Sequence, residues 1–157
     1  MPKSKKIDKK KDTVYIDIED KDPVWLKDKG DHFYKRNDYY SALNAYTKSL
    51  EFDKEFVMAR LNRATTWIKT RCFENGIEDL LDIQTYIGNL KPEERDNDEF
   101  YTRMMARSYL KMGGGYAWIS KFDESVEALT KATQYKTVFN EREVIEILND
   151  IERIKVR

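Results

Sequence analysis

Cysteine and histidine each occur once in the 157 residues, as Cys72 and His32. No disulfide can close within the chain, and neither a His/Cys metal cluster nor a nucleophile–base pair can be assembled. Apolar runs long enough to span a membrane are missing, since about 20 residues are needed. Net charge is missing too: 29 Lys and Arg balance 29 Asp and Glu, so no global field draws the chain to nucleic acid or a membrane. No signal peptide precedes the lone cysteine, and a reducing, cytoplasmic setting is expected, with the cilium or nucleus as further destinations. Gly113-Gly114-Gly115 lacks the lysine and strand context of a phosphate loop. Without a paired-carboxylate motif either, no catalysis and no cofactor are expected. Three prolines and six glycines leave room for long helices.

Residues 1–11, MPKSKKIDKKK, hold six lysines and one isoleucine and cannot bury enough surface to offset the entropy of ordering. They read as a solubilising tail or a basic targeting tag. Thr13 to Asp20 alternates apolar and acidic residues, as a linker or a peptide lying along a helix would. Residues 1–21 are thus expected to be a disordered basic-then-acidic tail, and 22–157 the folded domain. Asp22-Pro23 is a helix-start signal. The spacing predicts helices to about Lys35, from a cap at Asp38 to near Phe52, over Glu55–Thr70 and over Phe73–Gly88. A polar loop follows at Asn89–Asn97, where Pro92 and the charges oppose burial.

Thirty-four residues on from Gly30, Phe33, Tyr39, Ala42 and Tyr46 stand Ala64, Trp67, Phe73, Gly76 and Leu80. Small residues recur where helices approach closely, large apolar ones where a neighbour is filled. This self-match marks tetratricopeptide (TPR) repeats and predicts an all-α TPR helix-turn-helix solenoid of three repeats plus a C-terminal capping helix. In the third repeat Ala106 takes the place of Gly30, and Phe122, Ser125 and Leu129 those of Tyr39, Ala42 and Tyr46. Seven residues are then extra, within Lys111–Ser120. Three glycines oppose a helix there by roughly 1 kcal/mol each, which predicts a short flexible excursion with Tyr116 and Trp118 packing back. From Asn140 to Lys155, Val144, Ile147, Leu148, Ile151 and Ile154 recur at helical spacing as the capping helix.

Function is expected on the concave face, lined by the first helix of each pair. Side chains three and four apart share a face, which groups Lys27, Asp31 and Tyr34, then Leu61, Asn62 and Thr65, then Phe100, Arg103, Met104 and Arg107. This mixed basic and apolar surface suits an extended peptide with an acidic end.

Trp25-Leu26-Lys27-Asp28-Lys29-Gly30 and Leu61-Asn62-Arg63-Ala64 resemble TPR domains of co-chaperones. Residues 22–30, the loop after the second repeat and the terminal helix resemble those of dynein axonemal assembly factors. The resemblance implies a carboxylate clamp for the acidic C-terminal tails of the 70 kDa and 90 kDa heat-shock chaperones, with dynein assembly clients as further partners. Lys27 matches its first lysine and Asn62 its asparagine; Asp31 replaces another asparagine, and the third-repeat cation positions fall on Phe100 and Met104. Arg103 and Arg107 stand one helix step away. The implied role is a non-catalytic co-chaperone adaptor in dynein arm assembly. A ciliary scaffold and a self-associating TPR module are the alternatives.

Overall fold

The computed structural model describes residues 22–95 and 97–156; the expectations for residues 1–21 lie outside the described residues. Seven α-helices are present there: α1 Pro23–Lys35, α2 Tyr39–Phe52, α3 Val57–Lys69, α4 Phe73–Gly88, α5 Asp98–Trp118, α6 Phe122–Ala132 and α7 Glu141–Lys155. A single 3₁₀ turn, Pro92–Glu94, interrupts the polar loop. The chain groups into two compact units, one up to Ala59 and one from Arg60.

The first unit is a helix pair. The Asp22 carboxylate accepts from the Val24 amide at 2.9 Å, with Pro23 in the first turn where its missing N–H is no loss. Asp38 caps α2 in the same way through the Ser41 amide. Gly30 lets α1 close on α2, because a Cβ there would lie 2.5 Å from the Tyr46 ring. Tyr46 is fully buried in return. At the other end of the pair, the Ser49 hydroxyl donates to the Pro23 carbonyl at 2.7 Å.

The second unit repeats the device. A Cβ on Gly76 would lie 2.8 Å from Ile68 and 3.1 Å from the Ala64 carbonyl. The α4–α5 contact is bridged by Gln84, whose amide donates to the Ser108 hydroxyl at 3.0 Å. Ile147 and Ile151 of α7 close the core with Ala106, Leu129, Ala132 and Phe139. Asn140 and Glu143 exchange backbone–side-chain bonds in a capping box at the start of α7.

The third repeat departs from the expectation. Residues 111–118 are no flexible excursion; α5 runs unbroken through all three glycines to Trp118. The helix survives because two of them pack. A Cβ on Gly113 would lie 2.3 Å from Leu129, and one on Gly115 would lie 3.3 Å from Ile77. Gly113, not Ala106, is therefore the counterpart of Gly30: Gly30 meets Tyr46 and Gly113 meets Leu129, each sixteen residues on. Ala106 is buried elsewhere, in the cluster with α6 and α7. The added residues lie ahead of Gly113, as extra turns at the start of α5.

Gly114 has open space where a Cβ would stand. Gly114→Ala is expected to raise the unfolding free energy by about 1 kcal/mol through helix propensity. Gly113→Ala is expected to lower it by about 1–2 kcal/mol, because the buried Leu129 must shift to admit the methyl. Urea unfolding of the two variants tests this; equal effects would remove the packing role assigned to Gly113.

Candidate functional site

On α5, Arg103, Arg107 and Lys111 succeed one another at every fourth residue, which sets them on one face about 6 Å apart along the axis. The two arginines are exposed and Lys111 is half-buried. From Phe100 to Trp118 the helix contains no Asp or Glu. Among the described residues, no carboxylate forms an ion pair with any of the three. Burial, and then the charge of Arg107, push the Lys111 pKa below the ordinary lysine value of 10.5. Two cations thus stand one turn apart with no carboxylate paired to them among the described residues, and an anion brought there relieves both burial and repulsion.

Beside this row is a cavity of about 580 Å³. Leu110, Gly114 and Trp118 of α5, Phe122 of α6 and Ile154 of α7 line it, with the Asp150–Arg153 ion pair. Gly114 and Trp118 follow Lys111 by three and seven residues, so cavity and cations share one face of α5. Trp118 is 63% exposed yet held in place. Its ring stacks on Phe73 with centroids 5.7 Å apart, under the Arg71 guanidinium at 4.8 Å. The arrangement offers charge for an anion and, next to it, room for an apolar side chain.

Met104 does not face this surface. It is 4% exposed, on the side of α5 that packs against α4. The register set by Gly113 moves the two third-repeat cation positions from Phe100 and Met104 to Arg107 and Lys111. Phe100 sets its ring edge-on to Tyr101. Thr65 is half-buried and its hydroxyl donates to the Leu61 carbonyl at 2.9 Å; Leu61 itself is core. Asn62 is half-buried, and its carbonyl accepts from Thr66.

In the first unit Lys27 and Asp31 are brought together. The Lys27 ammonium lies 3.0 Å from the carboxylates of both Asp28 and Asp31. Burial alone lowers its pKa, but the bonds to Asp28 and Asp31 outweigh that and the net shift is upward. Asp31 also accepts from the Tyr46 hydroxyl at 2.5 Å. Burial first, and then Asp31, raise the Tyr46 pKa. Asp31 is thus the acceptor that a buried phenol requires. Tyr34 packs edge-on against Tyr39, 5.3 Å away.

Lys111 is absent from the site residues that the repeat spacing singles out. The signal is present: Gly30 and Ala42, Ala64 and Gly76, and Gly113 and Ser125 are each twelve apart. Matching backward from Ser125 leads to Gly113, and from there to Lys111.

No family model matches the chain. Over 140 residues it is 28% identical to dynein axonemal assembly factor 4 of Rattus norvegicus, covering 87% of this chain and 30% of that protein. It is 29% identical over 136 residues to the Hsp70-Hsp90 organizing protein of Triticum aestivum, covering 82% and 21%. Among solved structures, the first TPR of Spaghetti (RPAP3), bound to the HSP90 peptide SRMEEVD, superposes with a TM-score of 0.65 at 18% identity, over 90% of this chain and 95% of that one. The fold is that of a TPR domain. The TPR chain spans between 14% and 30% of the length of the assembly factors that it matches, and it is similar to TPR co-chaperones.

Proposed function

We propose that this TPR chain is a non-catalytic adaptor that binds acidic C-terminal tails of the 70 kDa and 90 kDa heat-shock chaperones. Arg107 and Lys111 hold the tail's carboxylates. The observation that carries this reading is the half-buried Lys111 beside Arg107, with no carboxylate paired to it among the described residues. Each charge-assisted hydrogen bond gained there contributes about 1.5–3 kcal/mol. The likeness to the Hsp70-Hsp90 organizing protein and to a TPR bound to an HSP90 peptide supports it. The likeness to dynein axonemal assembly factor 4 supports the finer reading that the adaptor serves dynein arm assembly.

Titrating SRMEEVD into the protein by calorimetry is expected to give saturable, micromolar-range binding that weakens as salt is added. Amidating the peptide's C-terminus is expected to weaken it further. Lys27→Ala is expected to cost less than about threefold, because the half-buried Lys27 is already engaged by Asp28 and Asp31 and has little charge left to offer a ligand. An absence of saturable binding at low salt would remove the proposal.

A further inference from the structure

We infer that Arg103 adds a third anion position to this site, so that the preferred ligand is a tail with acidic side chains two and four residues before its C-terminal residue. The inference rests on the tail-binding reading and narrows its substrate class. α1 and α3 begin seven residues before Gly30 and Ala64, whereas α5 begins fifteen before Gly113. The difference is about two turns, and Arg103 stands on them.

Glu99 stands one turn before Arg103, yet among the described residues no carboxylate forms an ion pair with this arginine. Two surface cations of this unit are by contrast paired one turn away: Lys131 lies 3.8 Å from Glu127 and Arg142 lies 3.5 Å from Glu146. Along α5 the acids are missing from Phe100 onward, and Arg103, Arg107 and Lys111 share a face. Four residues of helix advance about 6.0 Å, and two residues of extended peptide advance about 6.6 Å. Side chains at alternate positions of an extended strand also point the same way. A tail lying along α5 with its terminal carboxylate at Lys111 therefore brings the side chain two residues back to Arg107, and the one four residues back to Arg103. SRMEEVD has Glu at the first of these positions and Met at the second.

The test compares SRMEEVD with SREEEVD, in which that Met is Glu, on the full chain and on Arg103→Gln at low salt. SREEEVD is expected to bind about three- to fivefold more tightly to the unaltered protein, the gain an exposed ion pair supplies. Arg103→Gln should erase the gain, so that the two peptides bind it equally, its fold checked by circular dichroism. Equal affinities for the two peptides, or a gain that persists in Arg103→Gln, overturn the third position while the tail reading stands. If neither peptide saturates, both fall.

Discussion

Lys111→Glu is expected to abolish acidic-tail binding while the protein stays folded. The substitution removes a charge-assisted bond of about 1.5–3 kcal/mol. It also places a like charge near the incoming carboxylate, which at about 4 Å and an effective dielectric of about 20 costs roughly 4 kcal/mol. Part of that is lost to screening and rearrangement, so a loss of about a hundredfold or more is the result to look for in peptide titration. Stability moves differently. Lys111 is destabilised in the free protein by burial and by Arg107, whereas Glu at the same place pairs with Arg107 across one turn. The melting temperature is expected to hold within a few degrees. The pH dependence carries the same opposition. Because folding lowers the Lys111 pKa, the unfolded chain binds more protons between the lowered value and 10.5, and folding stability rises with pH across that window. Tail affinity falls over the same window, because the ammonium that binds it is lost there. Unchanged peptide affinity in Lys111→Glu would place the ligand elsewhere.

Asp79→Ala is expected to be the most destabilising single change, by about 3–5 kcal/mol, the cost of removing one partner from a buried ion pair. Asp79 of α4 is 3% exposed. Its two oxygens take Arg63 of α3 in a fork, at 2.8 Å from Nε and 2.7 Å from Nη2, with the Arg60 guanidinium at 3.4 Å. The bond to Asp79 is the main cause that raises the Arg63 pKa. Arg60 keeps Asp82, but Arg63 loses both arms of its fork. Asp79→Asn retains the volume and one acceptor oxygen, and is expected to cost roughly half as much. Thermal melts should fall by more than about 10 °C for the alanine variant. A shift of a degree or two would mean that α3 and α4 are held by packing alone.

Much of the fold was legible because its signals are local. Pro23, Asp22, Asp38 and Asn140 mark helix starts by backbone chemistry that needs no partner from afar, and α1, α2 and α7 begin where those residues place them. α3 starts at Val57, two residues later than its polarity pattern suggested. The third repeat was misjudged because local preference and tertiary contact disagree there. Three glycines argue against a helix at about 1 kcal/mol each, yet the space at Gly113 and Gly115 lets Leu129 and Ile77 pack against α5. Burying one such side chain contributes about 1.5–3 kcal/mol. From that misjudgment came the wrong register, and with it the omission of Lys111 from the site. Asp79 was illegible for a different reason: its partner Arg63 lies sixteen residues earlier on another helix, and no periodicity announces a carboxylate turned inward. The engagement of Asp31 by both Lys27 and Tyr46 has the same character, since only the first partner lies on the same helix.

Asn37, Arg71 and Ser120 adopt φ of 63°, 67° and 63°, each directly between the two helices of a pair. An amide, a guanidinium and a hydroxyl thus occupy one left-handed corner in three copies, none of them the glycine that such a corner favours. Kinship among the repeats resides in torsion angles more than in letters. At this corner residue identity has nothing to match, whereas the backbone angle is the same in all three copies to within a few degrees.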